Sequence, residues 1–353
     1  MAITIPVRQL LLLRPSALGD VCRTVPVAAS LKAHWPEAEI HWVVQTAFAA
    51  VIESHPAVTS VIRFPREQFR GGAFRPHRWW GMLGWLRSLR RGQWDVAIDC
   101  QGLARTGLML AACGARVRVG DRAAREGAWI PCTNRVTVPE GAHEVDRMLS
   151  LLKPLGVDPV RDTRLYVPAD ARQEWLQAAG GRPSGPCAVF ATTSRWETKA
   201  WPGDCWAELG ERLVAHGQVR WIALPGAASE RPQVARTAAA LRERGVEVVD
   251  YAGRTDLGQL MAMIESAAIT ISNDSAALHM AMGLGERCLG LFGPTDPAKV
   301  GPWRRPDLAV RAPLEPGEAV SFRDRSIGET VMRRLSVDTV CQRAIELLES
   351  WSR

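Results

Sequence analysis

Near its start the chain reads Leu10-Leu11-Leu12-Leu13-Arg14-Pro15-Ser16-Ala17-Leu18-Gly19-Asp20-Val21. The apolar run predicts a buried strand, Pro15 ends it, and a loop of small residues leads into an amphipathic stretch that predicts a helix. The turn therefore places Asp20 outside the carboxyl end of a strand, where open α/β sheets bind ligands. Two interpretations are open at this point: Asp20 is a general base, or it only caps the helix, for which Asp is a preferred residue.

The size and composition of the chain predict a water-soluble protein of two domains. It has 353 residues, of which 47% are hydrophobic and 23% charged, and this length exceeds a usual single core. No apolar run approaches the roughly 18 residues of a membrane-spanning helix. The first apolar segment is interrupted by Pro6, Arg8 and Gln9 without a basic leader before it, so we expect no signal peptide and a cytoplasmic location.

The alternation of β-rich runs with helical stretches predicts an α/β protein with two doubly wound domains facing a central cleft. We place the first domain at residues 1–168, a linker at 169–186, the second domain at 187–335 and a last amphipathic helix at 336–353. The Gly/Pro/Ser cluster at residues 180–186 marks the linker. We expect the last helix to pack back on the first domain.

Two loops of the second domain have residue types that suit a diphosphate. Asp274 and Ser275 follow an apolar run and precede a helix start, with His279 one turn into the helix, and helix N-termini bind phosphate. In the loop after the domain's first strand, Thr192 and its neighbouring hydroxyls precede Lys199, a cation that suits a leaving group. Taken alone, each loop is explained more simply by helix capping, a partly buried histidine or a solvated turn.

A basic and aromatic segment lies in the first domain. Its residues can bind phosphates, contact a membrane interface or bind single-stranded nucleic acid, and a solvated helix face is the simpler alternative. The net charge of +7 also suggests an anionic partner without choosing among these. The segment contains Arg63, Arg66, Arg70, Arg75, Arg78, Arg87, Arg90 and Arg91, interleaved with Phe69, Phe74, Trp79, Trp80 and Trp85.

Motifs of several other enzyme classes are missing from the sequence. It has no P-loop, no strand-linked G-x-G-x-x-G, no G-x-S-x-G and no H-E-x-x-H. The eight cysteines are scattered without metal-ligand spacing. A carboxylate pair of the D-x-D type is also absent from the predicted strand ends, so we expect no metal site.

Taken together, six motifs in order along the chain resemble glycosyltransferase family 9, the lipopolysaccharide heptosyltransferases. They are Ser16–Val21, Asp99–Leu103, Ala124–Gly127, Trp196–Pro202, Asn273–His279 and Phe292–Pro297. The resemblance implies a GT-B fold and an inverting, metal-independent transfer of heptose from ADP-heptose to the Kdo or heptose of a lipid A-linked acceptor. It further implies that no cofactor is needed.

The resemblance also implies roles for individual residues. Asp20 would be the general base, and Lys199 would stabilise the departing diphosphate. The donor would bind to Thr192, Thr193, Lys199, Glu230, Asp274, Ser275, Ala276, Ala277, Leu278 and His279. The acceptor would bind to Ser16, Gly19, Arg66, Arg70, Arg75, Arg78 and Gln101.

Partners and alternatives complete the sequence-based expectations. We expect a nucleotide-sugar donor, an anionic glycolipid acceptor, peripheral contact with the cytoplasmic face of the inner membrane, no nucleic acid, and a monomer. One alternative keeps the enzyme and changes the donor to another nucleotide-hexose. The other is a non-catalytic protein that binds a nucleotide or an anionic glycan.

Overall fold

The computed structural model describes residues 6–69, 76–177, 182–315, 317–318, 320–327 and 329–351, with the backbone alone for residues 69 and 76–79. Two compact units divide the chain, Met1–Tyr166 and Val167–Arg353. The predicted acceptor residues Arg70 and Arg75 lie outside the described residues, and the side chain of Arg78 is not described either.

The first unit contains a parallel sheet of six strands in the order β3-β2-β1-β4-β5-β6. The strands are β1 (Gln9–Leu13), β2 (Glu39–Gln45), β3 (Ser60–Phe64), β4 (Val96–Asp99), β5 (Val117–Asp121) and β6 (Asn134–Val136). The helices are α1 (Leu18–His34), α2 (Ala50–Glu53), α3 (Arg66–Phe69), α4 (Pro76–Leu89), α5 (Ala104–Ala112) and α6 (Glu144–Ser150). Strand order 3-2-1-4-5-6 is that of dinucleotide-binding doubly wound folds.

The apolar run of β1 lies at the centre of this sheet. Leu10 to Leu13 are almost fully buried, as expected of a strand covered by helices on both faces. Leu13 lies opposite Val43 of β2 and Asp99 of β4. The loops that leave β1 and β4 therefore start side by side, at the point where the strand order reverses.

The second unit repeats the architecture, with a parallel six-stranded sheet in the order β12-β11-β10-β7-β8-β9. The strands are β7 (Cys187–Ala191), β8 (Trp221–Leu224), β9 (Val248–Asp250), β10 (Ile269–Asn273), β11 (Cys288–Phe292) and β12 (Ala309–Arg311). The helices are α7 (Ala169–Gln177), α8 (Gly203–His216), α9 (Arg231–Glu243), α10 (Leu257–Ser266), α11 (Ala276–Gly283), α12 (Pro297–Val300), α13 (Thr330–Arg333) and α14 (Val337–Trp351). Ala191 pairs with Ser272, so the loops after β7 and β10 also start side by side.

Two segments outside the predicted second domain pack within the second unit. The predicted linker contains α7, which packs on α10: the indole of Trp175 is buried and donates to Ser266 Oγ at 3.0 Å, and Arg172 pairs with Glu265. The last helix, α14, packs on α8. The apolar stripe of α14 and the side chain of Trp175 in α7 can be buried against the core of the second unit. Polar linker residues have no such apolar surface to bury.

Candidate active site

Asp20 lies at the switch point of the first sheet, in the first turn of α1. Its carboxylate accepts the N–H of Ala17 at 3.2 Å, which satisfies a donor at the start of the helix. The same carboxylate pairs with Arg14 at 2.9 Å and with Arg23. A quarter of the Asp20 side chain is exposed, so the capping geometry leaves part of the carboxylate accessible.

The charges around Asp20 keep it ionised. Burial opposes ionisation, but the guanidinium groups of Arg14 and Arg23, together with the Ala17 N–H, outweigh it and hold the pKa of Asp20 well below its ordinary value. A carboxylate held in this state has lone pairs for a proton throughout the neutral range. Its low pKa means that it accepts a proton only from a group that becomes acidic during reaction.

The loop after β4 is tied to the loop that carries Asp20. Arg14 donates to the carbonyl of Cys100. The side-chain amide of Gln101 accepts from the Ser16 N–H at 3.2 Å and donates to Ser16 Oγ at 3.3 Å. Two of the predicted acceptor residues, Ser16 and Gln101, are thus in contact with each other.

Asp99, the last residue of β4, holds the loop after β4 through hydrogen bonds to its backbone. Its Oδ1 accepts the N–H groups of Gln101 and Gly102 at 2.9 and 3.0 Å. Gly102 has a φ of +68°, in the left-handed region that favours glycine. Burial raises the pKa of Asp99, against the pull of those N–H groups. The pKa values of Asp99 and Asp20 are therefore shifted in opposite directions, although the two residues lie close to adjacent loops.

A pocket of about 370 Å³ lies at the carboxyl ends of β2 and β3, and Gln45, Phe64 and Arg66 are among the residues that line it. The guanidinium of Arg105 lies 5.8 Å from the centroid of the Phe64 ring. Burial, and then the charge of Arg66, lower the pKa of Arg105. Two neighbouring cations beside an open pocket favour an anionic ligand, which would relieve their repulsion.

In the second unit the loops after β7 and β10 bring Lys199 and Asp274 together. Lys199 Nζ lies 2.6 Å from Asp274 Oδ2, and both side chains are largely buried. The face of the Phe322 ring lies 4.4 Å from the same ammonium. Asp274 begins the turn into α11, whose first N–H groups have no partner within the helix. A cation beside a helix N-terminus, at a switch point, is an arrangement that suits a phosphate.

Asn273 fastens the two loops of this site. Its side chain is fully buried, donates to the Thr192 carbonyl at 2.9 Å and accepts the Trp201 N–H at 3.0 Å. Thr192 and Thr193 are buried too, and Thr192 Oγ1 has no hydrogen-bond partner among the described residues. The amide of Asn273 thereby holds the two ends of the loop 192–201 in place.

We expect Asn273→Ala to lower the free energy of unfolding by about 2–4 kcal/mol, because it leaves a buried carbonyl and a buried N–H unsatisfied. Urea denaturation monitored by tryptophan fluorescence measures the change. Ser326→Ala, at an exposed hydroxyl that bonds Asp324, is the control and should change little. Equal stabilities of Asn273→Ala and the wild type would contradict the bridging role.

The other predicted donor residues, apart from Glu230, lie at the start of α11. Ser275 Oγ contacts Ser272 Oγ at 2.9 Å. Ala276, Ala277, Leu278 and His279 form the first turn of α11, and His279 is buried. Glu230 lies apart, after β8, where its carboxylate accepts the Ala227 N–H at 2.7 Å.

Two features are absent from the described residues. Among them, no three His, Cys, Asp or Glu side chains are grouped in a way that could hold a metal ion. None of their helices combines the length and apolar character needed to cross a bilayer.

Sequence reasoning missed several residues of these sites. A signal existed for two of them: Arg14 ends a buried strand, where a charge needs a partner, and Arg23 is three residues after Asp20 on a helix. Arg105 and Phe322 gave no such signal, because only folding brings them to Phe64 and Lys199.

Comparison with known proteins identifies the family of this chain. The model of glycosyltransferase family 9 (heptosyltransferase) matches residues 82–326. Lipopolysaccharide heptosyltransferase 1 of Pseudomonas aeruginosa is 29% identical over 304 residues, covering 84% of this chain and 82% of that protein. The lipopolysaccharide core heptosyltransferase OpsX of Haemophilus influenzae is 23% identical over 94% of this chain and 95% of its own length.

Solved structures show the same fold. The E. coli heptosyltransferase WaaC with ADP superposes with a TM-score of 0.76 at 25% identity, covering 96% of this chain and 99% of that one. E. coli ADP-heptose heptosyltransferase II gives 0.79 at 21% identity, covering 98% of this chain and 100% of that one. The predicted α/β, GT-B fold class and the predicted family are confirmed, and the chain belongs to glycosyltransferase family 9 and is a glycosyltransferase.

Proposed function

We propose that this glycosyltransferase moves heptose from ADP-heptose to the lipopolysaccharide inner core, onto Kdo or heptose linked to lipid A. The observation that carries the proposal is the pairing of Lys199 with Asp274 at 2.6 Å beside the start of α11. This arrangement suits a diphosphate. Similarity to WaaC, solved with ADP and with ADP-2-deoxy-2-fluoro heptose, supports the identity of the donor.

On the donor side, Lys199 and the first N–H groups of α11, which have no partner within the helix, would hold the diphosphate. The unpartnered Thr192 Oγ1 can donate to a phosphate oxygen, with Thr193 beside it. Asp274 and Ser275 would orient the donor, and Glu230 would bind the ribose. These groups stabilise a departing diphosphate without a metal or a cofactor.

On the acceptor side, Asp20 would be the general base. The acceptor oxygen attacks the anomeric carbon of the donor, the bond from that carbon to the diphosphate oxygen breaks, the hydroxyl proton passes to Asp20, and ADP leaves. Attack on the face opposite the diphosphate inverts the anomeric configuration. The low pKa of Asp20 fits a proton transfer that follows the loss of the leaving group, when the hydroxyl becomes acidic.

The acceptor itself would be an anionic glycolipid. Arg66 lines the pocket beside Arg105, and both cations suit a carboxylate or a phosphate of the acceptor. Arg70, Arg75 and Arg78 stay predicted acceptor residues, as do Ser16, Gly19 and Gln101. We further propose a cytoplasmic monomer that touches the inner membrane peripherally, which the net charge of +7 favours.

Incubation of the purified protein with ADP-heptose and a Kdo-bearing or heptosylated acceptor tests the proposal. Mass spectrometry follows the gain of one heptose, NMR of the product reports the anomeric configuration, and an excess of EDTA tests metal independence. A panel of other nucleotide-hexoses provides the matched comparison. Transfer from another donor alone would replace the proposed substrate, and a lack of transfer with intact ADP binding would favour a binding protein.

The pH dependence of this reaction depends on Arg14. Because its neighbours lower the pKa of Asp20, its ionised form persists as the pH falls, and kcat/KM should show no acidic limb from Asp20 down to about pH 4, where an ordinary Asp carboxyl with a pKa of about 3.9 would be roughly half protonated. Arg14→Gln removes a positive charge, raises that pKa and moves the acidic limb upwards. The exposed Arg116→Gln is the control. Identical pH profiles of the two variants would contradict the role of Arg14.

A further inference from the structure

The residues 320–327, which we call the Phe322 segment, lie against the turn that carries Lys199. Thr198 Oγ1 donates to the carbonyl of Phe322 at 2.6 Å, and Thr198 is almost fully buried. The ring of Trp196 meets the ring of Phe322 edge-on, with 5.3 Å between centroids. The segment is therefore fixed to both sides of the turn by a hydrogen bond and by ring packing.

We propose that Phe322 is a positioning residue that holds the Lys199 ammonium in place for the diphosphate. The inference rests on the proposed function and adds to it a residue that does not itself contact the donor. Lys199 Nζ lies 4.4 Å from the centroid of the Phe322 ring and 2.6 Å from Asp274 Oδ2. The ammonium thus has a carboxylate and an aromatic face as its neighbours.

The chemistry of the two contacts differs in a way that matters for ligand binding. An ammonium has three N–H donors, and the Asp274 contact engages one of them. The ring attracts the cation through the negative face of its π system. It has no lone pair that would accept an N–H of the ammonium in place of a phosphate oxygen. Phe322 therefore restricts the position of Lys199 while leaving N–H groups for phosphate oxygens.

The Phe322 ring is held in place by contacts other than the one with Lys199. A lysine side chain has a flexible four-carbon stem and loses much rotamer freedom when it is ordered. The Thr198 hydrogen bond sets the backbone of Phe322, and Trp196 limits the ring. Part of the ordering of Lys199 is therefore complete before the ligand binds, which strengthens binding.

Calorimetric titration of the full chain with ADP tests the inference. Phe322→Leu keeps an apolar side chain and removes the aromatic face, and we expect ADP to bind roughly 3- to 30-fold more weakly. Phe322→Tyr keeps the face and should restore wild-type binding. Ser326→Ala, in the same segment but bonded to Asp324, is the control, and thermal melting of each variant separates loss of folding from loss of binding.

A double-mutant cycle supplies the readout that a purely structural role would not change. If Phe322 acts through the ammonium, Phe322→Leu has no further effect on ADP binding once Lys199→Met is present. Equal losses in both backgrounds, or wild-type binding by Phe322→Leu, would overturn the positioning role and leave the proposed function intact. A wild-type chain that binds no ADP would overturn the proposed donor and this inference with it.

Discussion

Asp20→Asn should lower kcat of heptosyl transfer by about 10²- to 10⁴-fold, the usual contribution of a positioned general base. Asparagine has nearly the shape of aspartate, and its side-chain oxygen can still accept the Ala17 N–H that Asp20 accepts at 3.2 Å. It cannot take the acceptor proton. The variant therefore separates the two interpretations of the residue, base and helix cap, and steady-state kinetics with ADP-heptose measure the result.

The control for this variant is Arg23→Gln, which breaks an ion pair of Asp20 but leaves the carboxylate. We expect it to retain most of kcat. Asp20→Asn leaves Arg14 and Arg23 without their carboxylate, so thermal melting of both variants must accompany the kinetics. ADP affinity should be unchanged in Asp20→Asn. Near-wild-type turnover of this variant would reduce Asp20 to a cap.

Lys199→Met should lower kcat by about 10²- to 10³-fold, the usual cost of losing a group that stabilises developing charge. Methionine matches the length of the lysine stem but has no charge to offer a departing diphosphate. ADP should also bind roughly 10- to 100-fold more weakly, because a hydrogen bond to a charged group is lost. Kinetics and calorimetry measure the two losses separately.

The other half of the ion pair gives the sharpest comparison. Asp274→Asn keeps a side-chain oxygen that can accept an N–H of Lys199, and with it the proposed role in orienting the donor, but removes the negative charge 2.6 Å from Lys199 Nζ, so ADP should bind more tightly to this variant than to Lys199→Met. Lys299→Met, at an exposed lysine of the same unit, should change nothing. Weaker ADP binding by Asp274→Asn than by Lys199→Met would contradict the assignment of Lys199 to the diphosphate.

Most elements of the fold could be predicted because their sequence patterns are local. The apolar run Leu10–Leu13 lies in the strand Gln9–Leu13, and the predicted last helix at 336–353 is observed at Val337–Trp351. The short strands β6 (Asn134–Val136) and β12 (Ala309–Arg311) have no comparable pattern in the sequence. Three residues at a sheet edge have too little periodicity to stand out, and their strand conformation depends on pairing with a neighbour.

By itself, the sequence determined the α/β class, the doubly wound pattern of two domains and the loops in which Asp20, Lys199 and Asp274 lie. Each of these follows from periodicity and turn chemistry within a short window. The tertiary structure decided the contacts between residues far apart in the chain: Gln101 against Ser16, in the loop that carries Asp20, and Phe322 beside Lys199. Phe322 and Lys199 are far apart along the chain, and Coulomb and ring contacts depend on distances that only folding sets. Asp20 differs in this respect, because Arg14, Ala17 and Arg23, which lower its pKa, all lie within six residues of it along the chain.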